Sequence, residues 1–564
     1  LTADITKVLD CDIIVLGAGG GGLVAAARAS ALSDKKIIIV EKAARSGGGA
    51  SGAGDFRVYN SKWQKERGLD DSLQTDLLKF MDETYWKLDR ELVLNTFLAT
   101  GEFFDWCCTL SDDVADHWKP GRYIFDFPDK GPVIPTYSAP GGGPGGPGEG
   151  PPPGDSPAPG NAGVPTKDGK GPKTPDDAAG PMMAMGMRSG TYICKLLTAY
   201  LKEKNVPILL KHKVVDFEME NNKIAAVICE SEDGLVKINC KAVIMSTGSW
   251  INNQKYLEMA SPNFAKLDPG PLMPGGHRNS NYTGDGIALA EKAGAYVDLQ
   301  SFVIRPMGPS PKGPGGGMPG TGSESVTAMC RHPYGLQINK NGKRFTCEPS
   351  SVRLDLFYSA HIVLDQPDAV SYIVFGLNTA KAADAHVDGP TYKPAGIFGT
   401  CRFPDDIEAD LASDKSVIRA DTIEELAEKM GVPAHNLKAT IERYNRSCEK
   451  GFDDDCFKSA EFLVPVEAPY YAAECEINTD GAFGGVLVNA KMEAYSKDVK
   501  LETPCRPFDN PESASIVEGL YVIGDFASGR FINDWGMKRQ IINDLSWAFA
   551  SGFIAAQSAV DYLK

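Results

Sequence analysis

Several things are scarce in this chain, and each scarcity excludes something. Its 564 residues hold only seven histidines, none at metal-ligand spacing, so no structural metal is expected. No apolar run reaches the roughly eighteen residues of a membrane-crossing helix, so no transmembrane segment is expected. Basic charge is in deficit. Lys and Arg number 58 against 74 Asp and Glu, a net charge of −16. That argues against a nucleic-acid partner and a basic membrane-surface patch, though not against a local basic pocket for an acidic substrate. Thirteen cysteines form no CxxC pair, the closest being the neighbours Cys107 and Cys108. An odd, scattered set fits a reducing compartment with buried, inert thiols, and a cytoplasmic location is expected. The sequence starts at Leu1 rather than Met, which leaves room for a leader removed before it.

What is present is a large globular composition, 42% hydrophobic and 23% charged. The length suggests about three or four units of average domain size. Residues 12–16 (DIIVL) read as a buried strand, 22–32 as a helix of small residues and 36–41 (KIIIVE) as a second buried strand. Strand, glycine-rich turn, helix and strand within about thirty residues make a βαβ unit. Residues 72–110 read as helical, and so do 189–204, the amphipathic 422–451 and the terminal stretch from about 540 to 563. Strands are expected within 207–220, 223–231 and 235–248, and a hairpin turning at NKNGKR, 339–344. Two stretches, 140–180 and 308–322, are so rich in glycine and proline that they cannot form a packed core. No internal repeat is visible.

The first chemical signal is Gly17-Ala18-Gly19-Gly20-Gly21-Gly22. Gly17, Gly19 and Gly22 fit G-x-G-x-x-G, with Gly20 and Gly21 as tolerated extras. Glycine there allows the tight turn and the close approach of backbone to a pyrophosphate, which the helix N-terminus then attracts. Glu41 ends the next strand nineteen residues after Gly22, where a carboxylate accepts both ribose hydroxyls of an adenosine. A glutamate there, rather than a following arginine, favours an unphosphorylated ribose, so FAD or NAD over NADP. The Gly/Ser-rich loop after it, KAARSGGGASGAG, suits a second approach to a pyrophosphate and flavin rather than another plain βα unit.

At this point the sequence resembles the flavoproteins of the fumarate reductase and succinate dehydrogenase group, which also includes urocanate reductase and 3-ketosteroid dehydrogenases. The resemblance spans most of the chain. It implies an α/β fold: a discontinuous Rossmann-like FAD-binding domain (1–300 and 478–564) with an inserted α+β capping domain (301–477). The loop after Glu41 is similar to the family's flavin-contacting loop, which implies roles for Lys42, Ser46, Gly47, Gly48, Ser51 and Gly52. KHKVVDFE resembles the strand whose backbone, at Val215, meets the adenine. VIMSTGSW places Thr247 and Gly248 at the dinucleotide, TGDGIALAEKAGA places Asp285 near the flavin, and GLYVIGDFASG places Gly524 and Asp525 at the ribityl chain. No histidine occurs in 41–56, where succinate dehydrogenases attach flavin covalently, so FAD is expected to be non-covalent. No CxxCH haem-attachment motif is present either.

Two arginines carry the implied reaction. In 335–361, Arg353 falls where the family places an arginine acid; in GMKRQIIND, Arg539 falls where a substrate carboxylate or carbonyl is bound. A planar fork of donors suits the second role. The resemblance implies hydride transfer from flavin N5 to a C=C bond conjugated to a carbonyl or carboxylate, protonation by Arg353 and polarisation by Arg539. Electrons would come from a separate donor. The chain departs from fumarate reductases in two places. Gly481, preceded by Asp480, stands where their carboxylate-binding histidine lies, and Met329 stands where a relay glutamate lies, with Arg331 or His332 as the relay's second member. One alternative is a ketosteroid-type dehydrogenase using Tyr471 of APYYAAE, a tyrosine that could equally pack against the flavin. Another is a flavin-binding redox protein without turnover.

Overall fold

In this computed structural model the described residues are 5–52, 56–68, 73–83, 86, 88–112, 114, 119–121, 136–138, 189–260, 281–306, 329, 333–348, 362–387, 407–408, 411, 417–475, 477–503, 506–507, 515–528 and 544–564. The Gly/Pro-rich stretches 140–180 and 308–322 lie outside them.

Ile13–Leu16 (IIVL) and Ile37–Val40 (IIIV) are buried at every position. Apolar residues on both faces suit a strand covered from both sides, which is the usual setting of a parallel sheet. These two lie in a six-stranded sheet ordered Glu493–Tyr495, Ile516–Val522, Ala242–Met245, Ile13–Leu16, Ile37–Val40, Ile208–Leu209. Only the edge strand Glu493–Tyr495 runs antiparallel. The chain builds outward from Ile13–Leu16 to one side, then returns to add Ala242–Met245 and Ile516–Val522 on the other. The order therefore reverses between Ile13–Leu16 and Ala242–Met245. Such a reversal opens a crevice at the carboxyl ends of the strands.

The helix Gly20–Leu32 packs against the terminal helix Asp544–Tyr562 almost backbone to backbone. A Cβ on Gly20 would stand 2.6 Å from Ala50 Cβ and 2.9 Å from the Phe549 ring, and one on Gly21 3.0 Å from the Ala548 carbonyl. A Cβ on Gly552 would overlap the carbonyl oxygen of Gly21. Gly20 and Gly21 are thus required by helix packing, which corrects their reading as tolerated extras. The helical stretch 72–110 divides into Leu73–Glu83 and Arg90–Leu110, because Asp89 caps the second helix by accepting the N–H groups of Glu91 and Leu92.

Two expected strands also divide. Left-handed Lys211 (φ 58°) turns Ile208–Leu209, in the parallel sheet, away from Lys213–Glu220. In 235–248 the Cys240 N–H bonds Ala225 O, but the next N–H, on Lys241, bonds Asp12 O. The chain changes partner at that corner, so Gly234–Asn239 and Ala242–Met245 belong to different sheets. Gly234–Asn239 lies between Ile5–Asp10 and Lys223–Ser231, with Lys213–Glu220 beyond.

The middle of the chain forms an antiparallel sheet ordered Leu336–Asn339, Ser371–Gly376, Tyr470–Cys475, Ile418–Ala420. Alternate residues of its strands enter separate apolar clusters. Ile373, Phe375, Tyr471 and Ala473 pack on one face, Tyr372, Val374 and Ala472 on the other. This period of two is that of a sheet covered on both sides. The expected helix 422–451 is two helices, Ile423–Met430 and Ala434–Lys450, separated by left-handed Gly431 and by Pro433. The expected hairpin forms its turn, but only a single bridge, Ile338 to Arg344, returns from it. Buried ion pairs pin that turn: Arg344 to Glu348 at 2.7 Å, Arg344 to Asp453 at 2.9 Å and Lys458 to Glu348 at 2.9 Å. The antiparallel strands Val297–Pro306 and Ile477–Leu487 lead into and out of this part.

All ten described cysteines are free thiols, and burial pushes Cys194 and Cys229 up to about 12, where they stay protonated. Among the described residues, no helix is long and apolar enough to cross a membrane.

Candidate functional site

The sheet's carboxyl ends meet at one level. Gly17 N–H bonds Val40 O at 2.7 Å, Ser246 N–H bonds Leu16 O at 2.8 Å, and Ile523 N–H bonds Met245 O at 3.0 Å. The loops that follow these strands line an open cleft at the point where the strand order reverses.

The first of these loops needs its glycines for different reasons. Gly17 has φ 105°, and a Cβ there would overlap the Ser246 carbonyl; one on Gly22 would overlap Gly17 O. A Cβ on Gly19 would meet nothing within 4 Å, since Gly19 borders the cleft itself. Gly19 is also the N-cap of Gly20–Leu32 and offers no side chain to the helix's first N–H groups. They remain available, with the helix dipole behind them, to an anionic ligand.

Glu41 is held at both carboxylate oxygens, by Ala18 N–H at 2.8 Å and Ala43 N–H at 2.8 Å. Each oxygen keeps a lone pair for a ribose hydroxyl. Beside it, Lys42 Nζ donates to Asp285 Oδ2 at 2.6 Å and Thr283 Oγ1 at 2.8 Å, and Lys213 Nζ lies 3.3 Å from Asp285 Oδ1. Burial raises the Asp285 carboxyl, but Lys42, Thr283 and Lys213 outweigh it and hold it below the usual range. Lys42 and Asp285, expected as separate contacts, are one ion pair.

The loop after Glu41 docks by Gly47 N–H on Ala18 O at 2.7 Å and turns through the 3₁₀ segment Gly48–Gly52. Gly48 lines the cleft, with Gly49 and Ala50 beside it. Ser46, Gly47 and Ser51 are not among the described lining residues; Gly47 O accepts the Ser51 N–H from behind. His212, Lys213 and Val214 form the wall on that side, and Val215 follows one position beyond. Thr247 and Gly248 line the cleft, and Thr247 Oγ1 is buried with no hydrogen-bond partner among the described residues. Gly524 (φ 67°) and Asp525 also line it, with Gly524 held by Trp547 Nε1 and Ser551 Oγ. Sequence reasoning misses Gly49 and Ser246, each adjacent to a matched motif, and Tyr282, which carries no motif of its own. The Tyr282 ring lies against Gly49 and Gly248.

The expected catalytic residues are not brought together here. Arg353 and Arg539 lie outside the described residues, as do Arg331 and His332. Gly481 belongs to the strand Ile477–Leu487, opposite Val303, and Met329 is buried in the core of the antiparallel sheet. Tyr471 is buried there too, stacked on Phe375 with ring centres 5.5 Å apart. Its hydroxyl donates to Glu408 at 2.8 Å, and burial, then Glu408, pushes its pKa up. It is not among the described residues that line the cleft.

An open glycine N-cap, a tethered carboxylate and an unpartnered threonine hydroxyl fit a dinucleotide. A family model described as FAD binding domain matches residues 12–532. Vinyl phenol reductase of Lactiplantibacillus plantarum is 29% identical over 58% of this chain and 61% of its own length. The open conformation of a flavocytochrome c3 fumarate reductase superposes with a TM-score of 0.63 at 19% identity, over 99% of this chain and 79% of that one. The 3-ketosteroid delta1-dehydrogenase from Sterolibacterium denitrificans superposes with a TM-score of 0.64 at 19% identity, over 98% and 99%. At such identities the two structures establish a shared mixed α/β fold. The chain spans less than two thirds of the length of the curated relatives it matches, 61%, 31% and 30% for three of them.

Proposed function

This chain belongs to the FAD binding domain family, with FAD as its cofactor, and from that premise we propose that it reduces a C=C bond conjugated to a carbonyl or carboxylate. Gly17, Gly19, Glu41, Gly48, Thr247 and Asp525 would hold the cofactor non-covalently. When bound, FAD supplies the electron pair as a hydride to the β-carbon. Arg353 then delivers a proton to the α-carbon, and Arg539 grips and polarises the carbonyl or carboxylate. Both cations would gain effect where bound substrate displaces water from around them. Residues 1–300 and 478–564 would form one FAD-binding domain, with 301–477 as a cap. In support, the parallel sheet draws strands from both ends of the chain while the antiparallel sheet has its own core. The partners would be a small alkene substrate and a separate electron donor.

The observation that carries the choice of reaction is the position of Tyr471. A ketosteroid-type dehydrogenase would need that hydroxyl at its substrate, yet here it is committed to Glu408 within the sheet's core. A relative named for reducing a vinyl phenol points the same way. The test is a half-reaction. The chain is reduced anaerobically and mixed with enoates, enones, vinyl phenols and saturated ketosteroids. Reoxidation of the flavin by a conjugated alkene is expected. If none reoxidises it, or if a saturated ketosteroid reduces the oxidised flavin, this reading fails.

A further inference from the structure

Tyr282 is an aromatic residue of the cleft to which no motif gives a role. Its backbone is fixed: the carbonyl accepts Asn252 N–H at 2.9 Å, and the next residue, Thr283, belongs to the Lys42–Asp285 network. Its ring reaches two separate loops of the cleft. A Cβ on Gly49 would overlap the phenol oxygen and lie 3.0 Å from Cζ, and a Cβ on Gly248 would stand 3.3 Å from Cε1. The absence of side chains at Gly49 and Gly248 leaves the notch that the ring fills. The phenol oxygen therefore sits directly against Gly49. Gly49 lies within the Gly48–Gly52 turn, so a single side chain joins that turn to the Thr247–Gly248 loop across the cleft.

We propose that Tyr282 is a positioning residue of the cofactor cleft: its phenol fixes the Gly48–Gly52 turn in the conformation that presents its backbone to FAD. A five-residue turn so rich in glycine has many conformations to lose, and a ring packed against it before the ligand arrives removes part of that cost from binding. Burial, followed by the charge of Asp525, pushes the phenol pKa up. This inference rests on the chain holding FAD and not on the reaction proposed above.

The test reads FAD without turnover. The full chain is purified with its FAD, and release on dilution is followed by the rise of free-flavin fluorescence. Y282F keeps the ring but removes the oxygen seated against Gly49, and is expected to release FAD about fivefold faster. G49A collides with the phenol oxygen and should be purified with less than about a tenth of the wild-type FAD, because a buried overlap must push the turn aside. Removing that oxygen should restore FAD to G49A/Y282F. The FAD-stripped Y282F chain should unfold at the wild-type temperature. Wild-type release from Y282F, a double variant no better than G49A, or a thermal midpoint falling in step with FAD release would each overturn the proposal.

Discussion

Gly19 and Gly20 are neighbours with opposite duties. A methyl on Gly19 would enter open cleft, whereas one on Gly20 would strike Ala50 and Phe549. Gly19→Ala should therefore leave the melting temperature of the FAD-stripped chain unchanged but weaken FAD binding by about tenfold or more, since it holds the backbone off the pyrophosphate. Gly20→Ala should lower that melting temperature, at a cost of about 1–3 kcal/mol for overpacking. The two are separated by measuring both thermal unfolding and FAD content. The sequence pattern assigns Gly17, Gly19 and Gly22 because a phosphate-binding turn has a fixed spacing. It is silent on Gly20 and Gly21 because their requirement comes from a helix more than five hundred residues away. Tyr282 is hidden for the same reason: its partners Gly49 and Gly248 are distant in the chain.

Among the elements, the buried strands of the parallel sheet were legible as continuous β-branched runs, while corners between sheets were not. Cys240 and Lys241 carry no turn signature; what ends the strand there is the change of backbone partner from Ala225 to Asp12. The ion cluster of the antiparallel sheet was equally invisible, since Arg344 and Glu348 meet Asp453 and Lys458 from over a hundred residues on. Burial works against the Glu348 charge, but Lys458 and Arg344 prevail and lower its pKa from 4.5 to about 2. A carboxyl depressed on folding adds stability above its unfolded pKa, and loses it as pH falls through its folded one. Glu348 should therefore stabilise the fold above about pH 4.5, with the contribution gone near pH 2. Glu348→Gln should cost about 3–5 kcal/mol at neutral pH by stranding buried cations. Denaturant unfolding should show the gap to wild type narrowing across that acid window. Tyr471→Phe tests the same layer. Losing one hydrogen bond to Glu408 should cost about 1 kcal/mol of stability and leave steady-state alkene reduction within about threefold of wild type, a change of under 1 kcal/mol in the barrier. Loss of turnover would instead mark Tyr471 as the acid of a dehydrogenase.

At the scale of the whole molecule, the chain is a mixed α/β flavoprotein whose cleft lies where its parallel sheet changes direction. The cofactor was legible because its motifs are local: a glycine turn, an acidic strand end and a second glycine loop, all within residues 17–52. The reaction is harder to read because the arginines proposed for it, Arg353 and Arg539, are far apart in the chain and carry no local motif as strong as the glycine turn. If Arg353 protonates an alkene reduced at this cleft, as proposed, its removal must slow that step. The most direct measurement is single-turnover reoxidation of the anaerobically reduced chain by a conjugated enoate, wild type against Arg353→Met, at equal FAD content. Fast reoxidation is expected in the wild type and a loss on the order of a hundredfold or more in the variant, the scale of a general acid. Equal rates in the two proteins would contradict it.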